Sequence, residues 1–209
     1  MPELNLIMLA IAAYLLGSIP TAVWVGKTFY NLDVRTQGSG NAGATNTIRV
    51  LGWKAGVPVL LFDVFKSWLA VKLPIIFSTG LEGNMLINFQ LLLGAIAVTG
   101  HIFPVFAGFK GGKGVASITG IVIALFPATF FIVMGIFTLI LLLSGYVSLA
   151  SILSAITFPF IAIFVIRVDH PALMVFSILV GLVVPLMHRK NIKRLLNGTE
   201  SKFIYRNKS

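Results

Sequence analysis

Residues Gln37 to Gly52 read QGSGNAGATNTIRVLG, a run of small, mostly uncharged side chains that includes Arg49 and is wedged between two long apolar stretches. Its glycines permit positive φ and close backbone approach, so successive N–H groups can turn toward one point and form an anion-binding nest. No acid lies in the run to oppose an anion, and Ser39, Asn41, Thr45, Asn46 and Arg49 supply polar groups and a fixed cation. The pattern suits a phosphate group handled at a membrane surface.

Two further segments have related chemistry. GHIFPVFAGFKGGKGVAS, from Gly100 to Ser117, places Gly108, Gly111, Gly112 and Gly114 around Lys110 and Lys113, and it leads into an expected helix at Val115. Helix N-termini attract anions through unpaired N–H groups and the macrodipole. The segment is not a Walker A sequence, because Gly114 stands where GxxxxGK[ST] needs Ser or Thr; this argues against a nucleoside triphosphatase. Taken alone, the loop serves equally well as a basic turn that orients two helices. The third segment, HRKNIKRLLNGTE from His188 to Glu200, spaces His188 and Asn191 three apart, where they could face one ligand. Its cations could equally bind anionic lipid.

The elements that must position these segments are apolar. Of 209 residues 57% are hydrophobic and only 11% are charged, with a mean hydropathy of +0.98. A soluble domain carries about a quarter charged residues, so the sequence specifies an all-α integral membrane protein, a single membrane-embedded domain over 1–209. The absence of cysteine excludes disulfides, thiolate metal sites and thiol nucleophiles. His101, His170 and His188 show no metal-ligand spacing, and no carboxylate cluster suits magnesium; no metal and no cofactor is expected. The net charge of +10 reports orientation and membrane lipids rather than nucleic acid, whose tails carry longer basic runs. No obligate protein partner is evident.

A spanning helix needs about 20 apolar residues, with about 17 tolerated. Leu4–Gly26 qualifies, and because no basic n-region precedes it and no clear cleavage site follows, it is expected to be retained as a first helix rather than removed as a signal peptide. Ala55–Thr79, Met85–Phe106 and Ala172–Met187 follow, and the 52 residues from Val115 to Ile166 contain no charged side chain. Thirteen of the sixteen basic residues lie in Lys27–Lys54, Gly108–Gly114 and His188–Ser209, so the positive-inside rule puts all three segments in the cytoplasm. Parity then demands an odd number of crossings in the uncharged stretch. Three fit, with breaks near Phe126-Pro127 and Ser144-Gly145, giving seven transmembrane helices, the N-terminus outside and the C-terminus cytoplasmic. Five spans with re-entrant segments also satisfy parity. In either case the three polar segments share the cytoplasmic face, which favours function over a set of unrelated turns.

Other polar residues carry simpler explanations. Asp63 and Lys66 are three apart, hence on one helix face, and form an expected intramembrane pair; intramembrane charges are also functional candidates, so Asp63 is retained as a secondary site. His101, near the end of an apolar stretch, is as well explained by a structural hydrogen bond as by catalysis. His170 is expected to be solvated in an outer loop.

Together, GSIP at Gly17–Pro20, DVR at Asp33–Arg35, GSGNAGATNTIR at Gly38–Arg49 and the second and third segments resemble the bacterial acyl-phosphate:glycerol-3-phosphate acyltransferase family over nearly the whole chain. Ser67 departs from the glycine expected in many relatives, which bears on helix packing. The resemblance implies transfer of a fatty acyl group from acyl phosphate to the 1-hydroxyl of glycerol 3-phosphate, giving lysophosphatidic acid and phosphate at the bacterial inner membrane. It implies that the backbone of Gly40, Asn41, Ala42, Gly43, Ala44 and Thr45 cradles the acyl-phosphate phosphate. Ser39, Arg49, Lys113, His188 and Asn191 would hold glycerol 3-phosphate and transition-state charge, with weaker roles for Lys110 and Arg194.

The residues are consistent with that chemistry. An acyl phosphate already carries a good leaving group, so positioning and charge stabilisation are the main demands. A His-x4-Asp base motif is absent, since Phe106, Val175 and Lys193 stand five positions after the three histidines. Direct attack, with a substrate phosphate oxygen taking the hydroxyl proton, is expected; Ser39 as a covalent nucleophile is the rival. A transporter for an organic phosphate is the competing function, although transporters usually place their site near the midplane.

Overall fold

The computed structural model describes residues 2–203; Met1 and residues 204–209, including the tail cations Arg206 and Lys208, lie outside the described residues. All regular structure among the described residues is helical, as a lipid-embedded chain without a closed barrel requires, because every backbone polar group must be satisfied within its own segment. Contacts divide the chain into two compact units, 1–125 and 126–209.

The first unit contains α1 (Pro2–Gly17), α2 (Thr21–Tyr30), α3 (Ala44–Leu51), α4 (Trp53–Ile76), α5 (Gly83–Ile102) and α6 (Val115–Leu125). The first apolar stretch is therefore not the uninterrupted helix expected over Leu4–Gly26. It breaks at Ser18-Ile19-Pro20 and bends by 44°, because Pro20 has no N–H to continue the α1 ladder. Helix α4 is the hub, packing against α1, α3, α5 and α6, with Ala70 and Leu73 meeting Leu9, Ala13, Leu93 and Ala97. Small residues let backbones approach, as in membrane helix pairs generally. Ser67 is fully buried on α4, and a Cβ on Gly120 of α6 would collide with the α4 backbone at Val64 O and Trp68 N and lie 3.2 Å from the Ser67 Cβ. The absence of a side chain at Gly120 thus lets the two helix backbones approach, with Ser67 packed beside the contact.

The second unit contains α7 (Pro127–Ser144), α8 (Val147–Phe160), α9 (Pro171–Met187) and α10 (Arg189–Leu196), with a π turn over Ile161–Val165 after Pro159. The expected breaks in the uncharged stretch are present. Pro127 starts α7 at its first turn, where a missing N–H costs nothing, and Gly145 ends it in the left-handed conformation. Helix α8 packs on α7 and α9, and Phe126 meets Phe158 edge-on and stacks on Phe176. His170 is not solvated as expected: both its ring nitrogens are enclosed.

Among the described residues three helices are long and apolar enough to cross a membrane, or up to five if each bent pair counts as one span. Helix α4 has the length, at 24 residues, but carries Lys54, Asp63, Lys66 and Lys72. Helix α6, at 11 residues, reaches about 17 Å, short of a hydrocarbon core of about 30 Å. Side chains such as Phe131 and Leu143 on α7 stand exposed, as they must where lipid is the solvent.

Candidate active site

The first glycine-rich run folds as a loop followed by a short helix. Gly38 and Gly40 adopt φ of 60° and 71°, the left-handed region that other residues enter at a cost, and Gly43 leads into α3. Buried Asn46 on α3 holds the loop from inside. Its Nδ2 donates to the carbonyl oxygens of Val34 (2.8 Å) and Gln37 (3.1 Å), and its Oδ1 accepts from the N–H (2.8 Å) and hydroxyl (3.1 Å) of Ser39. With the loop so tied, the first-turn N–H groups of α3 have no partners in their own helix.

The second loop leaves α5 and returns to it: Gly111 N–H donates to Ile102 O and Gly112 N–H to His101 O, at 3.1 and 3.2 Å. Lys113 and Gly114 then lead into α6, which starts at Val115 as expected.

Arg35 joins the two loops. Its Nε and Nη2 grip Asp33 Oδ1 and Oδ2 at 2.9 and 2.7 Å, while Nη1 donates to Ala107 O at 2.8 Å and Lys110 O at 3.4 Å. The guanidinium hydrogen bond holds the Asp33 carboxyl well below the usual range, at about 2, and burial opposes it only in part. In return Asp33 raises the Arg35 guanidinium further above its ordinary value. Asp33 also caps the following 3-10 turn by accepting from Arg35 N–H at 3.0 Å. One residue thus fixes the spacing of both candidate anion loops.

Ala42 of the first loop and Gly111 and Gly112 of the second line one crevice with Thr21, Asp63, Lys66 and His101. The expected Asp63–Lys66 pair is present at 2.7 Å and both side chains are buried. The first two polar segments are therefore brought together, with Gly40, Asn41, Ala42 and Gly43 in the first loop, Ala44 and Thr45 in the first turn of α3, and Lys110 and Lys113 in the second loop. Ser39 turns its hydroxyl to Asn46, and Arg49 lies in the last turn of α3.

The third segment lies in the second unit. His188 is buried, its Nδ1 2.8 Å from Val184 O. Glu200, enclosed, accepts from Asn191 Nδ2 (2.7 Å), Arg194 Nε (2.6 Å) and Ser148 Oγ (2.7 Å). Burial would raise its carboxyl, but the donors Arg194, Asn191 and Ser148 together outweigh that and hold it below its ordinary value. Among the described residues no three His, Cys, Asp or Glu side chains form a group that could hold a metal ion.

A profile of the family described as glycerol-3-phosphate acyltransferase matches residues 7–198. The chain belongs to that family. The glycerol-3-phosphate acyltransferase of Listeria monocytogenes is 44% identical over 199 residues, covering 95% of this chain and 97% of its own. The crystal structure of PlsY, an integral membrane glycerol 3-phosphate acyltransferase, in its glycerol 3-phosphate form is similar with a TM-score of 0.83 at 38% identity, covering 95% of this chain and 96% of its own. Its lysophosphatidic acid form gives a TM-score of 0.80 at the same identity, covering 95% of each chain. This acyltransferase is thus a multi-pass bacterial membrane protein.

Three parts of the acyltransferase's framework were not singled out as site residues from sequence. Arg35 was visible only as part of DVR, and the spacing of two from Asp33 was the available signal. Asn46 was one polar residue among several in its run. Glu200 is the lone acid in the described tail, and that isolation among cations is its signal.

Proposed function

We propose that this chain transfers a fatty acyl group from acyl phosphate to the 1-hydroxyl of sn-glycerol 3-phosphate, releasing lysophosphatidic acid and inorganic phosphate. The observation that carries the reading is the Arg35 bridge, which holds two glycine-rich, acid-free loops together beside a hydrophobic helical framework. A donor with a greasy tail and an anionic head needs that combination.

In this reading the Gly40–Thr45 backbone, with Asn41, cradles the acyl-phosphate phosphate. Ser39, Arg49, Lys113, His188 and Asn191 hold glycerol 3-phosphate and stabilise developing charge, with Lys110 and Arg194 in supporting roles. The 1-hydroxyl oxygen bonds to the acyl carbonyl carbon, the carbon–oxygen bond to phosphate breaks, and the hydroxyl proton passes to a substrate phosphate oxygen. The Ser39 hydroxyl donates to an amide oxygen, too weak a base to activate it, which supports direct attack over an acyl-serine. The chain acts as one membrane-embedded domain of seven spans in the inner membrane, N-terminus outside and site facing the cytoplasm. The basic loops support that sidedness.

Purified protein given acyl phosphate and radiolabelled glycerol 3-phosphate should yield labelled lysophosphatidic acid, with no acyl adduct on Ser39 in trapped enzyme. Uptake of label into vesicles without lipid formation would replace the enzyme with a transporter, and an acyl-Ser39 adduct would replace direct attack with a covalent route.

A further inference from the structure

We propose that Asp63, Lys66 and His101, which the function above does not use, form a buried positioning unit that fixes the second glycine-rich loop and so sets affinity for glycerol 3-phosphate. The inference rests on the reading that Lys113 of that loop holds this substrate.

Buried charges are costly unless they are paired and hydrogen-bonded. Asp63, Lys66 and His101 are each more than nine-tenths buried, and their contacts account for it. Lys66 Nζ lies 2.7 Å from Asp63 Oδ1 and donates to Ile19 O at 2.8 Å, a carbonyl within the break between α1 and α2. Thr21 Oγ1, at the start of α2, donates to the same Asp63 oxygen at 3.1 Å. From the end of α5, His101 Nδ1 faces that oxygen at 3.7 Å. One carboxylate oxygen therefore gathers three elements.

The other edge of the His101 ring meets the loop. A Cβ on Gly112 would collide with His101 Nε2, and one on Gly111 would collide with the His101 carbonyl oxygen. Both peptides donate to the carbonyls of Ile102 and His101. The ring and backbone of this one residue thus limit where the loop can lie, and Asp63 faces the ring from its Nδ1 side. Lys113 follows Gly112 directly, so a displaced ring carries through to the cation. Within the unit no atom need touch substrate.

Initial rates of the full-length protein in detergent micelles, with each substrate varied, test this. Gly112→Ala should raise KM for glycerol 3-phosphate about tenfold by forcing the loop off His101. In a His101→Ala background, where the ring is gone, the same change should cost less than about threefold. Equal factors in both backgrounds overturn the inference. Should Gly112→Ala fail to fold, recovery of folded protein in the double variant supports it, and failure to recover overturns it. Asp63→Asn, nearly isosteric, should raise KM for glycerol 3-phosphate at least about threefold while KM for acyl phosphate stays within about twofold; equal shifts in both overturn it. Wild-type protein that forms no labelled lipid removes the functional reading and this inference with it. Active wild type with unresponsive KM values removes the inference alone.

Discussion

Replacing Arg35 with alanine tests the framework of the site without touching a residue assigned to substrate. The change removes a two-pronged grip on Asp33 and a 2.8 Å hydrogen bond to Ala107 O. Hydrogen bonds to charged groups contribute about 1.5–3 kcal/mol each, but Arg35 and Asp33 side chains retain 23% and 19% exposure, and solvent screening reduces the sum. A net loss of about 2 kcal/mol in loop anchoring is reasonable, and if the anchored arrangement is the competent one, kcat/KM falls about 30-fold. Arg35→Lys keeps the charge but lacks the fork needed to span Asp33 and Ala107 together, so about tenfold is expected. The assay is formation of labelled lysophosphatidic acid at subsaturating substrate, with thermal unfolding in parallel. An Arg35→Ala enzyme within about twofold of wild type would refute the idea that this bridge sets the loop spacing. The same bridge has a pH signature. The folded Asp33 carboxyl titrates near 2, below its ordinary value of 3.8, so its contribution is complete above about pH 4 and disappears as pH falls toward 2. After screening it amounts to about 1 kcal/mol. Asp33→Asn should lack this component of acid sensitivity; identical acid profiles for variant and wild type would contradict the assignment.

Lys113→Ala and Arg49→Ala should each lose most turnover while still inserting and melting as folded protein; near-normal rates in both would remove the cationic cradle from the mechanism. Glu200→Ala strips an enclosed acceptor from Asn191, Arg194 and Ser148 and should destabilise the protein by about 2 kcal/mol, read as a lower melting temperature. An unchanged melting curve would show that the network contributes nothing. Because the chain has no cysteine, single cysteines at Lys54, Lys110 and Asn197 should react with an impermeant thiol reagent only from the cytoplasmic side, and one at Asp169 only from outside. Any other pattern breaks the seven-span arrangement.

Much of the architecture was legible from charge and punctuation. Pro127 and Gly145 divide the uncharged stretch because one suits the start of a helix and the other a left-handed end, both local properties readable from residue type. The two glycine-rich loops were legible for the same reason. Pro20 is equally visible, yet the apolar run around it predicts one helix. Apolar composition says nothing about where a freed backbone carbonyl finds a distant donor, and for Ile19 O that donor is Lys66, 47 positions away. Arg35 was illegible as a bridge because its acceptors, Ala107 and Lys110, offer only backbone carbonyls, and every residue type has one. Glu200 was hidden for a different reason. A lone acid amid cations usually means a solvated surface, and only the fold shows it enclosed by Ser148 from another helix.

The break at Ser18–Pro20 also explains why a membrane-embedded helix carries Asp63 and Lys66 at all. A carbonyl freed from its helical partner in an apolar setting costs several kcal/mol unless it finds a donor. Val23 N–H, which would be the helical donor to Ile19 O, donates instead to Pro20 O at 2.9 Å, and Ile19 O accepts from Thr21 N–H at 3.0 Å and Lys66 Nζ at 2.8 Å. An ammonium in that position needs a counter-charge, which Asp63 supplies three residues earlier on the same face of α4. The pair therefore follows from the break, and the break redirects the chain into α2 and on to the Asp33–Arg35 turn. Replacing Lys66 with methionine separates this chain of causes from simple ion pairing. If the pair were an independent salt bridge, the double variant Asp63→Asn/Lys66→Met would restore most of the stability lost by Lys66→Met alone, because no charge would remain unpaired. If Lys66 serves the Ile19 carbonyl, the double variant stays destabilised, since the freed carbonyl still lacks the ammonium that met it.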